Sequence, residues 1–115
     1  MNDNLSRAHL LFDQGRFPMA AEEAGHQLAS DPVHLLAHCL RTLCLSKIER
    51  HEEAIWEAQV AVHLAPDFPN GYAVLGSVLD DVGRLREAEA AARTALRLDP
   101  DEAGHYALLA SIRIQ

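Results

Sequence analysis

Apolar residues along this chain recur three and four positions apart, the spacing that keeps side chains on one face of an α-helix. Read from that periodicity, helices fall near 3–14, 17–30, 34–47, 51–64, 69–82 and 85–98, with a seventh from about 102 to the end. The pattern then repeats as a block. Pro32, Pro66 and Pro100 stand 34 residues apart, and Ala20, Ala54 and Ala88 share a second position. Ala24, Ala58 and Ala92 share a third, and Leu11, Leu45 and Leu79 a fourth. A fixed period of this length with two amphipathic helices per block predicts a helix–turn–helix repeat array.

The punctuation has physical causes. Gly15 and Gly83 stand where a helix should end in a left-handed residue, a conformation glycine adopts without penalty. Glu49 takes that place in the second block, which predicts a differently built turn. Asp31-Pro32 and Asp99-Pro100 read as an N-cap followed by proline at the first helical position. Asp101 and Glu102 would then put negative charge in the first turn. Asp67-Phe68-Pro69 reads as the same device shifted along the chain. Ala20 with Ala24, Ala54 with Ala58, and Ala88 with Ala92 each lie one turn apart, so a neighbouring helix can approach closely there.

With these residues in place, the chain resembles the tetratricopeptide repeat family over its whole length. The third block carries Tyr72, Leu75, Gly76, Leu79, Ala88, Ala95 and Pro100 of the family pattern. The first carries Ala8, Leu11, Gly15, Phe17, Ala20, Leu28 and Pro32, and the second Leu45, Ala54, Ile55, Ala61, Leu64 and Pro66. The resemblance implies one all-α domain over 1–115, a right-handed superhelical solenoid of units 1–34, 35–68 and 69–102 plus a terminal helix over 103–115. Arg7 and Arg41 depart from the family's leucine; Arg41 is expected half-buried against Glu23 or Glu57.

The resemblance also implies that the first helix of each pair lines a concave groove that holds a protein or peptide partner. Its register puts Leu5, His9 and Phe12 there from the first unit, Leu36, Cys39, Leu43 and Lys47 from the second, and Asn70, Ser77 and Asp81 from the third. One end is apolar and the other polar with an acidic edge, which suits an apolar anchor followed by a basic residue. Chaperone-binding relatives clamp a terminal carboxylate with Lys, Asn and Arg. The matching positions here are Leu5, His9, Leu40, Asn70 and Val74, which lack the cationic donors such a clamp needs.

Composition narrows the rest. A formal charge of −7 opposes binding to phosphate backbones, so nucleic acid is not an expected partner. No apolar run approaches membrane-helix length, and neither a signal peptide nor a disulfide spacing is evident, so a cytoplasmic protein is expected. His34, His38 and Cys39 have partial metal-ligand spacing, but no third and fourth ligand accompany them, and no metal or other cofactor is expected. His38 reads as partial core packing, and His9, His26, His51, His63 and His105 as solvated. There is no nucleophile elbow, phosphate loop or zinc-protease motif, so no enzyme is expected. The last helix offers Leu108, Leu109 and Ile112 as an apolar face. Three readings compete for it: a piece of a longer array, a homodimer contact, or a tolerated surface. The leading function is therefore a non-catalytic interaction module, and the alternative a structural domain that self-associates through the terminal helix.

Overall fold

The computed structural model describes residues 4–114, with the side chains of Asn4, Arg113 and Ile114 outside the description. The described residues form seven helices and no strands: α1 (Asn4–Asp13), α2 (Phe17–Ser30), α3 (Leu35–Lys47), α4 (His51–Leu64), α5 (Pro69–Asp81), α6 (Leu85–Leu98) and α7 (Ala103–Ile114). Every boundary lies within about one residue of the helix read from the apolar pattern.

The helices pair in sequence, α1 with α2, α3 with α4 and α5 with α6, and each pair packs on the next in a solenoid-like stack. The first helices also touch along the stack, α1 on α3, α3 on α5 and α5 on α7. Among the described residues, the backbones of the second helices α2, α4 and α6 do not approach one another. The stack therefore closes on the row of first helices and opens on the row of second helices. Alanine makes the pairing close: Ala20, Ala24, Ala54, Ala58, Ala88 and Ala92 are all fully buried. One cluster, Leu45, Ile55, Val78, Leu79 and Ile112 with the α4 and α6 alanines, forms the core of the later units. A second, built on Ala8, Leu11, Leu40 and Cys44, joins the first pair to α3.

Two local expectations are corrected. The Glu49 turn is not built differently. Glu49 adopts φ 63°, beside 77° at Gly15 and 82° at Gly83. Its amide donates to the Ser46 carbonyl and the Arg50 amide to that of Leu45, the same pair of bonds that closes the glycine turns. The chain thus holds a glutamate in a conformation that costs an L-residue roughly 1–2 kcal/mol. Glu49→Gly should raise stability by about 0.5–1 kcal/mol after glycine's larger unfolded-state entropy is deducted. Urea unfolding reads this directly, and an unchanged midpoint would show that the glutamate side chain offsets the strain.

Asp31 and Asp99 are C-caps of α2 and α6, not N-caps of α3 and α7. The prolines after them occupy a turn, because proline cannot continue the helix and has its φ fixed for that place. The turn needs three residues to reverse: the amides of His34, Phe68 and Glu102 donate to the carbonyls of Asp31, Ala65 and Asp99. The next helix starts only after it, so His34 becomes the N-cap of α3 and accepts from the Ala37 amide at 3.2 Å. Asp101 and Glu102 precede α7, and a Glu102 carboxylate oxygen accepts from the Gly104 amide at 3.0 Å.

Candidate functional site

Where α1, α3 and α5 converge, the inner face holds a cavity of about 290 Å³ lined by His9, Leu36, Cys39, Leu40, Leu43, Asn70, Ala73 and Val74. Five of the residues assigned to the groove from register, His9, Leu36, Cys39, Leu43 and Asn70, meet here. Leu40 and Val74 join them. Both match carboxylate-clamp positions, so the signal for their place on this wall lay in the same register. Leu36 is 48% exposed and stands at the rim, while Leu40 is buried in the floor. The lining contains no lysine or arginine.

The other assigned residues lie elsewhere. Leu5 and Phe12 are half-buried and pack on the core of the first helix pair, with the Phe12 ring edge-on to Phe17 at 5.1 Å between centroids. Lys47 is exposed at the end of α3, Ser77 is half-buried on α5, and Asp81 accepts a hydrogen bond from Ser46 at 2.8 Å. Burial pushes the Cys39 thiol up to about 12 and that of Cys44 up to about 11, from an ordinary 9.0, so neither carries appreciable thiolate at neutral pH. Cys39 contributes to the wall as a small apolar group.

A polar network fixes the wall from behind. His38, buried on α3, places Nε2 at 2.7 Å from the Pro32 carbonyl and Nδ1 at 2.7 Å from Glu57 Oε1. A carbonyl can only accept, so Nε2 carries a proton. The other Glu57 oxygen accepts from the half-buried Arg41. Glu57 is thus the partner of Arg41, and Glu23 instead lies 3.6 Å from Arg7. Spacing alone gives His38 a packing role; its bond to the linker carbonyl is not readable there. His105 is also corrected: it is buried, 2% exposed, where solvation was expected. It shares its place in the repeat with Ala37 and Gly71, both buried against the preceding pair, and that register was the available clue.

At the far end, Ile112 is 3% exposed within the later core and Leu108 and Leu109 are half-buried against it. Part of the apolar face expected to self-associate therefore covers α5 and α6. No helix among the described residues is long and apolar enough to cross a membrane.

No family model matches the sequence. A Triticum aestivum Hsp70-Hsp90 organizing protein is 32% identical over 72 residues, which is 63% of this chain and 12% of that protein's length. The chain thus spans about an eighth of the curated relative it matches. Among solved structures, the second TPR domain of human RPAP3, in complex with the HSP70 peptide SGPTIEEVD, superposes with TM-score 0.85 at 25% identity, covering 96% of this chain and 92% of that one. The Sgt2 TPR domain of Aspergillus fumigatus superposes with TM-score 0.90 at 16% identity, covering 96% and 75%. The 34-residue register, the alanine-seated helix pairs and these neighbours together give the chain the fold of a tetratricopeptide repeat (TPR) domain.

Proposed function

We propose that this chain is a peptide-binding interaction module whose α1–α3–α5 cavity takes an apolar anchor rather than a terminal carboxylate. The observation that carries the reading is the lining itself: Leu36, Leu40, Leu43, Ala73 and Val74 surround a space open to the inner face, and no cationic side chain in the lining points a donor at it. The TPR relative solved with SGPTIEEVD supports peptide binding as the activity of the fold. An acidic tail of that kind needs charge-assisted donors. The clamp-matching positions Leu5, His9, Leu40, Asn70 and Val74 offer leucines, a valine, an amide and an imidazole in their place. Acidic residues beyond the cavity, Asp80 and Asp81, suit a basic residue placed after the anchor.

Fluorescence anisotropy tests this with nonapeptides carrying a central Leu or Phe and then Lys, against SGPTIEEVD. The anchored peptides should bind more tightly than the acidic tail. Leu43→Asp, which sets a charge in the cavity wall, should weaken them about tenfold or more while circular dichroism stays helical. Tighter binding of SGPTIEEVD, or indifference to Leu43→Asp, would remove the apolar-anchor reading.

A further inference from the structure

The outer side of the stack carries two equivalent slots, and the chain fills one of them itself. Each lies where the backbones of neighbouring second helices stay apart and a first helix forms the floor. In the α2–α4 slot, Arg41 of α3 lies between Gly25 and Glu57. Its Nε is 3.6 Å from where a β-carbon on Gly25 would stand, and its guanidinium bonds the Glu57 carboxylate. In the α4–α6 slot the places of Gly25, Arg41 and Glu57 are held by Gln59, Leu75 and Ala91. A leucine stands for the arginine and a methyl group for its carboxylate. What remains is a cavity of about 300 Å³ that all three line, together with Tyr72, Ala90 and Thr94. The apolar surface runs on past Gln59 to the crest of α4, where Trp56, Val60 and Leu64 border a second cavity of about 310 Å³. Trp56 is 63% exposed, and its place in α2 and α6 is held by the exposed Glu22 and Ala90. The fold therefore does not require an indole there.

Charge and backbone chemistry say what fits the open slot. As equivalent helices of the repeat, α4 and α6 run in the same direction, each acidic in its first turn and basic in its last. At the starting end Glu53 is bonded to Arg50 and Glu87 to Arg84. Arg86 points about 100° away from Glu87, which lines the slot. Glu52 is left over, in the field of Arg84 but in no ion pair among the described residues. At the finishing end His63 and Arg97 form no ion pair among the described residues either, and Arg97 stands one turn beyond Thr94. The slot thus has a spare negative charge at one end and a spare positive charge at the other. An extended peptide would find no free backbone groups to pair with, because those of the slot walls are bonded within the helices, whereas a helix satisfies its own. We infer that the α4–α6 slot is a docking site for an amphipathic helix of a partner, lying antiparallel to α4 and α6. One apolar side chain enters the cavity over Leu75 and Ala91, a second lies on Trp56, the acidic first turn meets Arg97 and the basic last turn meets Glu52. This site is separate from the α1–α3–α5 cavity, which opens on the inner face.

The test uses the whole chain and a stapled helical peptide with leucines at i, i+3, i+4 and i+7, glutamates in its first turn and lysines in its last. Trp56 is the only tryptophan of the sequence, so its emission reports the outer face directly. Binding should shift that emission to the blue, and a peptide with the end charges exchanged should bind about threefold more weakly. Leu75→Arg combined with Ala91→Glu rebuilds the pair that fills the α2–α4 slot. It should cut affinity about tenfold or more while circular dichroism stays helical. Ala90→Asp sets a charge at an exposed position on the rim and should weaken binding without touching the core. An emission unmoved at the solubility limit of the peptide would overturn the inference, as would equal affinity for the two peptides or undiminished binding by Ala90→Asp. Loss of binding in Leu43→Asp would also overturn it, by placing the peptide in the inner cavity. So would a blue shift that the chain alone shows on concentration, which would give the face to a second copy.

Discussion

Glu57→Ala should cost about 3–5 kcal/mol of folding stability, the loss expected when one partner of a buried ionic network is removed. The carboxylate is 4% exposed, accepts from Arg41 and lies 2.7 Å from His38 Nδ1, both side chains on α3. Its removal does not harm them equally. Arg41 is half-buried and can swing its guanidinium toward water, which limits its share. His38 cannot, because the ring is buried and Nε2 is held by the Pro32 carbonyl. Its Nδ1 then faces an apolar gap with nothing to bond, and that desolvated nitrogen carries most of the penalty. Glu57→Gln keeps an acceptor for one neighbour and should cost clearly less. A cycle with His38→Ala separates the terms: once the imidazole is gone, Glu57→Ala should become milder by about 1–3 kcal/mol. Additive losses in chemical unfolding would show that the 2.7 Å contact contributes no coupling. Because His38 also anchors the linker between the first two helix pairs, the same variant should loosen the α1–α3 wall of the cavity. Weaker peptide binding at temperatures where the chain remains folded would report that.

How much of this is legible in the sequence depends on whether a feature repeats. Helix limits, the alanine seats and the row of first helices all recur, so a single register fixes them, and five groove residues come with it. Features that do not recur are harder to see. Leu5 carries the register of Cys39 and Ala73, and Phe12 that of Ser46 and Asp80, yet neither lines the cavity. They turn to the core of the first pair, Phe12 against Phe17, and leave the cavity to α3 and α5 with His9 at its edge. Pairing Arg41 with Glu57 over Glu23 needs the crossing of α3 and α4, not spacing. The Glu49 turn departs from its expectation because glycine is the usual but not the required left-handed residue. The turn's bonds are backbone bonds and form whatever the side chain, provided the strain is met elsewhere. The caps move by three residues for a related reason: Asp-Pro can open a helix or close one, and only the length of the linker decides.

Leu45→Ala should be the other severe variant, at about 2–5 kcal/mol, and its consequences reach further than the lost side chain. Leu45 is fully buried at the joint where α3 and α4 meet α5, in the cluster that holds Ile55, Val78, Leu79 and Ile112. The cavity contribution is large because its surroundings resist collapse. Alanines at Ala54, Ala88 and Ala92 seat the neighbouring helices closely, and the branched side chains around Leu45 are already packed against one another. Repeat arrays are stable as the sum of units and the interfaces between them, so damage at one interface can uncouple the two sides. The cluster around Leu45 holds the later units, whereas the first pair packs on α3 through a separate cluster of Ala8, Leu11, Leu40 and Cys44. Leu45→Ala should therefore lower the cooperativity of unfolding as well as its midpoint. Hydrogen exchange should rise in α5 to α7 before α1 and α2. Leu11→Ala, at the same place in the first unit, is the control: it should cost less and leave exchange in α5 to α7 unchanged. If both variants unfolded the chain in one transition of undiminished steepness, the units would be behaving as one cooperative block.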